Sequence, residues 1–142
     1  MKLTDIISIS GKPGLYNLIN RTRSPFTAED LESGRKLPLF PRDNIVSLGD
    51  ISIYTTEGDM PLGEVLQKIQ EKYPNGIQSE SDLAKDTDKL HAFMSEVLPI
   101  YDSDRVHNSD IKKLIKWYNI LKGAGMDTFV PDKEEEKEDI KG

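Results

Sequence analysis

Few stretches of this chain hold side chains of types and spacing that could do chemistry. The first is Gly11-Lys12-Pro13-Gly14. A lysine between glycines suggests a phosphate cradle, but such a loop needs a glycine five residues before the Gly-Lys pair and a hydroxyl after the lysine. Ile6 and Pro13 stand at those positions, and a proline removes one of the N–H donors that a backbone nest would use. The stretch reads as a hinge in which Gly11 ends a short helix and Pro13-Gly14 turns into the first strand.

The second is Asp102 to Asp110. Asp102 and Asp104 match the opening of a calcium loop, yet His107 takes its glycine position and Lys113 its closing glutamate. A polar loop with helix-capping residues accounts for the same string. His91 and His107 lie on different segments without a second ligand at metal spacing. No GxSxG elbow is present, and acids are so plentiful that no carboxylate pair stands out for acid–base work. With no cysteine in the chain, disulfides, thiolate metal sites and cysteine nucleophiles are excluded. The sequence implies no catalytic residue, no cofactor and no metal.

The most informative stretch is SDIKKLIKWYNILKGAG, residues 109–125. Ile111, Leu114, Ile115, Tyr118 and Leu121 fall on one helical face. Lys112, Lys113, Lys116 and Lys122 fall on or beside the other, with Trp117 among them. Three readings remain open: a solvated face, a docking surface for an acidic protein partner, or nucleic-acid contact through the lysines. Tryptophan beside basic residues is hot-spot composition. A smaller basic patch holds Arg21 and Arg23, with Arg35 and Lys36 one hairpin away.

Charge and composition narrow the choice. The chain has 142 residues and a net charge of −6. Lys and Arg number seven against six acids over residues 1–56, nine against thirteen over 57–130, and three against six over 131–142. This is not the overall basic footprint of a nucleic-acid binder. No apolar run nears the ~18 residues that would span a bilayer. The start MKLTDIISIS lacks the sections of a signal peptide, so a cytoplasmic setting is expected.

The elements that must position these residues change character near residue 57. Before it lie short β-branched runs, 15–19, 26–31, 37–40, 44–48 and 51–55, each read as a strand. Glu32-Ser33-Gly34-Arg35 marks a hairpin turn, and Pro38 places its strand at an edge. Such strands suggest a small antiparallel SH3-like barrel or half-barrel, preceded by a short helix carrying Leu3, Ile6 and Ile7. After it, Leu62, Val65, Leu66 and Ile69 set a helical period, with Asp59 as cap and Pro74-Asn75-Gly76 as stop. A second helix is expected over 81–98, closed by Pro99, and a third from Ser109 to Gly123. Residues 126–142 read as an acidic disordered tail. The expectation is an α+β chain: 1–56 barrel-like, 57–125 three helices.

Three segments carry a family resemblance: ISGKPGLYNLI, SLGDISIYT with the following PLGEVLQKI, and SDIKKLIKWYNIL. Over most of residues 1–125 the chain resembles a family of proteins of unknown function from Bacteroidetes-type bacteria. The resemblance implies a small β-rich N-terminal domain, a helical C-terminal domain and a cytoplasmic bacterial setting. It implies no catalytic motif and no substrate. The function expected is that of a non-catalytic interaction module or accessory subunit of a larger assembly. Its contact residues would be Lys112, Lys113, Lys116 and Trp117, with Arg21, Arg23 and Arg35. A nucleic-acid accessory role in transcription or translation is the alternative, and no membrane partner is expected.

Overall fold

The computed structural model describes residues 3–12, 14–20, 26–40, 43–78, 80–126 and Phe129. Five strands form one antiparallel sheet in the order β4-β3-β2-β1-β5. They are β1 (Ile6–Ile9), β2 (Tyr16–Asn20), β3 (Phe26–Asp30), β4 (Lys36–Leu39) and β5 (Ile45–Ser47). A separate hairpin joins β6 (Ser52–Thr55) to β7 (Gly58–Pro61). The helices are α1 (Leu62–Lys72), α2 (Glu80–Ala84), α3 (Thr87–Val97) and α4 (Asn108–Gly123). The α+β class expected from the sequence holds.

Several expectations need correction. The short helix over Leu3, Ile6 and Ile7 is a 3-10 turn, Leu3–Asp5, followed directly by β1. As an inner strand β1 is buried on both sides, Ile6 on one and Ile7 and Ile9 on the other. A strand buried twice has no polar alternation to betray it, and a short apolar run is then ambiguous with a helix. Gly11 and Gly14, with φ of 83° and 82°, consequently turn β1 into β2 rather than a helix into a strand. Ile51–Thr55 does not join the five-stranded sheet but pairs with β7, which the sequence reading missed. Closing a barrel needs β4 to meet β5, and the ladders among the described residues end at those two strands.

The hairpin over Glu32–Arg35 and the edge position of Pro38 are as expected. Asp30 Oδ1 accepts from the Glu32 N–H at 2.9 Å, and Gly34 takes φ of 77°. The helix expected over 81–98 is two helices, making four among the described residues instead of three. Asp86 breaks it by capping α3, its side chain accepting from the N–H groups of Asp88 and Lys89. Asp59 lies in β7 and does not cap α1; the first amide of α1 instead donates from Leu62 to the Ile51 carbonyl at 2.8 Å. That bond ties the helix start to β6.

One main core joins both ends of the chain. Leu3, Ile6, Leu15 and Leu48, from the sheet and its turns, pack with Leu66 and Ile69 of α1, Phe93 and Met94 of α3, and Ile115 and Tyr118 of α4. Each such side chain, wholly removed from water, stabilises the fold by ~1.5–3 kcal/mol. A smaller cluster of Ile7, Ile9, Tyr16, Ala28 and Leu39 lies on the other side of the sheet. Met126 and Phe129 are also buried in the main core, so the segment expected to be a disordered tail contributes packing at its start. The charged run 131–142 lies outside the described residues.

Asn119 of α4 clamps the connection after α1. Its Oδ1 accepts from the Ile77 N–H at 2.7 Å, and its Nδ2 donates to the Ile77 carbonyl at 3.0 Å and Glu80 Oε1 at 2.8 Å. Asn119→Ala removes both part-buried hydrogen bonds at Ile77, each worth ~0.5–1.5 kcal/mol net. Urea titration is expected to show a loss of about 1–3 kcal/mol, and a loss under 0.5 kcal/mol would deny the clamp.

Candidate functional site

The basic helix sits where its period requires. Ile111, Leu114, Ile115, Tyr118 and Leu121 turn inward and are buried, while Lys112, Lys113 and Lys116 are exposed. Asp110 starts the helix by accepting from the His107 N–H at 3.0 Å. Trp117 is half-buried against the main core. None of the three lysines takes part in a hydrogen bond or ion pair among the described residues.

The structure divides the set read from sequence. Lys113 and Trp117, one turn apart, line a groove between β6 and α4. Lys116 lines a different hollow, together with Leu31 and Glu32 beside the β3–β4 turn. Lys112, four residues before Lys116, continues the ridge on the solvent side. Arg35 is exposed on the β3–β4 turn and lines neither hollow. Arg21 and Arg23 lie outside the described residues.

The groove holds about 190 Å³. Its walls are mostly apolar: Ile51 and Ile53 from β6, Leu62 from α1, Val106 from the loop before α4, and Leu114 and Trp117 from α4. Lys113 and Asp110 supply its charges, the latter already engaged at the helix start. At one end Tyr54, 41% exposed, carries the Arg105 guanidinium 4.0 Å from its ring centroid. The two other hollows are more polar. The one beside Pro74–Gln78 is lined by Asn119 and Lys122, whose side chains bond to the Ile77 backbone and to Gln70.

The backbone beside the groove is open. In an antiparallel ladder, bonded and non-bonded pairs alternate. The bond from Leu62 to Ile51 fixes Ser52 and Tyr54 as residues whose N–H and C=O point away from β7. Tyr54 is met there by the Asp102 N–H at 3.0 Å, next to the bridge between Thr55 and Tyr101. The chain then turns away, and Ser52 has no partner strand on that side among the described residues.

The histidines serve the frame. His91 Nδ1 lies 2.7 Å from the Tyr101 hydroxyl and Nε2 lies 2.8 Å from Asn108 Oδ1, so the ring ties α3 to the loop that follows it and to the first residue of α4. Asp102 accepts from the Asp104 N–H at 3.0 Å and shapes that loop. Sequence reasoning missed Ser52 and Tyr54, which share the groove with α4 only through the fold, and Arg105, which stands over Tyr54. A local signal existed for Tyr54 alone, an aromatic at the solvent-facing parity of ISIYT.

Comparison with known proteins follows this geometry. Residues 51–121 match the family model described as domain of unknown function (DUF6852), and residues 3–48 match domain of unknown function (DUF5606). No curated protein matches the chain. A solution NMR structure of a structural-genomics protein from Bacteroides vulgatus is similar over 90% of this chain and 91% of that one, at 44% identity and a TM-score of 0.71. The resemblance read from the sequence therefore stands.

Proposed function

We propose that this chain, which belongs to the DUF6852 family of domains of unknown function, is a non-catalytic cytoplasmic module that docks on a partner protein of a larger assembly. The observation that carries the reading is the groove between β6 and α4. It gathers Trp117 and Tyr54, the latter under Arg105, residue types that dominate binding energy at interfaces, around an apolar floor with Lys113, unpaired among the described residues, at its rim. Lys112 and Lys116 extend the positive ridge and favour an acidic partner through steering and complementarity.

Nucleic acid is the rival occupant, because aromatic side chains beside lysines can stack bases. The acidity of the chain works against it, and the groove is walled by aliphatic side chains. The two differ in salt response, since phosphate contacts release counterions and weaken steeply with salt.

Affinity capture from bacterial lysate, with wild type and a Trp117→Ala variant, tests the docking role. A hot-spot tryptophan carries ~2 kcal/mol or more of binding, about a 30-fold loss. The expected result is a partner held by wild type and lost with Trp117→Ala, circular dichroism showing the variant still folded at the temperature of capture. Identical partner sets for both proteins would sink the surface assignment.

A further inference from the structure

We infer that the groove between β6 and α4 takes an acidic, extended segment of the partner, added as a strand on Ser52 with one apolar side chain seated beside Trp117. This rests on the docking reading and names the chemistry of its ligand.

Three independent features converge on that ligand. The first is main-chain: Ser52 offers an outward N–H and C=O at the groove's edge, and its side of β6 carries no partner strand among the described residues. An extended peptide that adds to a sheet edge draws affinity from such groups and specificity from pockets for alternate side chains. The second is volume. About 190 Å³ falls below the ~300–1,000 Å³ of small-molecule sites, so the space suits one apolar side chain better than a metabolite. The third is charge. Lys113 at the rim and the exposed Lys112 and Lys116 beyond it have no partner among the described residues, and Arg105 stands at the far end over Tyr54. Asp110 accepts from the His107 amide and Asp102 from the Asp104 amide, so their direction is fixed within the fold, and the outer ridge of α4 is left to Lys112, Lys113 and Lys116. Alternation along a strand sends neighbouring side chains to opposite faces. A segment that seats an apolar residue inward therefore presents its acids outward, toward the lysine ridge.

Trp117 is the only tryptophan, so its emission reports the groove directly. The probes are an eight-residue peptide alternating glutamate and leucine, the same peptide with lysine for glutamate, a backbone N-methylated form of the first, and an eight-nucleotide oligouridine. The expected result is that the acidic peptide blue-shifts Trp117 emission and the lysine peptide does not. N-methylation, or Ser52→Pro in the protein, should weaken binding at least tenfold by removing an edge hydrogen bond. Proline is tolerated at an edge whose N–H faces solvent, and the N-methylated peptide gives the same readout without altering the protein. Lys113→Glu should weaken binding about 10–100-fold, since it sets a like charge at the rim against the peptide's glutamates. Acidic-peptide binding that is indifferent to N-methylation and to Lys113→Glu overturns the proposal. So does oligouridine binding with no peptide binding, or no response to any probe. If the acidic peptide fails while Trp117→Ala still loses its captured partner, strand addition falls and the docking reading survives. If Trp117→Ala loses nothing, the docking reading itself falls.

Discussion

Phe129→Ala is expected to lower stability by about 3–5 kcal/mol, the cost of truncating a buried phenylalanine. The side chain is 2% exposed, and its ring centroid lies 5.9 Å from that of Tyr118. Its amide reaches Gln67 Oε1 at 3.4 Å, so the segment after α4 returns to α1. A urea titration should show a lower midpoint with unchanged slope, as a change in stability requires. A loss below about 1 kcal/mol would show that this segment is not part of the core. The loss would be invisible to any reading that treats residues 126–142 as tail.

Gly63→Ala should also destabilise, by about 1–3 kcal/mol, although it improves helix propensity. In an ordinary helix interior alanine is better than glycine by ~1 kcal/mol. Here a Cβ would run into the Phe129 carbonyl oxygen, a backbone atom that cannot rotate aside. Forcing an added carbon into a packed contact costs ~1–3 kcal/mol. The sign therefore depends on the contact and is measured by the same titration. In a Phe129→Ala background the backbone is freer to shift, and the cost of Gly63→Ala should shrink, because contacting residues are not additive. A stabilising Gly63→Ala in the wild-type chain would refute the close approach.

Both effects belong to what the sequence did not disclose. The helical stripe of Leu62, Val65, Leu66 and Ile69 and that of Ile111 to Leu121 were legible, because one buried face of a helix leaves a period of 3.6. The strands β2 to β6 were legible from β-branched runs between turn residues. β1 was not, because Ile6, Ile7 and Ile9 are apolar on both sides. The break at Asp86 was hidden inside an apolar pattern that continues in phase through both helices. Met126 and Phe129 were submerged in the charge that follows them. At the site, α4 supplied its own signal, and Trp117 with Lys113 was readable from it. Ser52 and Tyr54 come to the same groove, with Arg105 over Tyr54, through the fold, where a backbone bond from Leu62 to Ile51 ties β6 to α1 and a bridge from Thr55 to Tyr101 ties it to the loop after α3. Such long-range registrations leave no local trace.

The main core has a consequence for how the chain is inherited. Residues 3–48 and 51–121 match separate family models, yet Leu15 and Leu48 are wholly buried in the same cluster as the helices of the other stretch. Exchanging either stretch for a distant counterpart would have to preserve the complementary face as well as the fold. The two stretches thus share one hydrophobic interior, and neither keeps its buried face covered without the other.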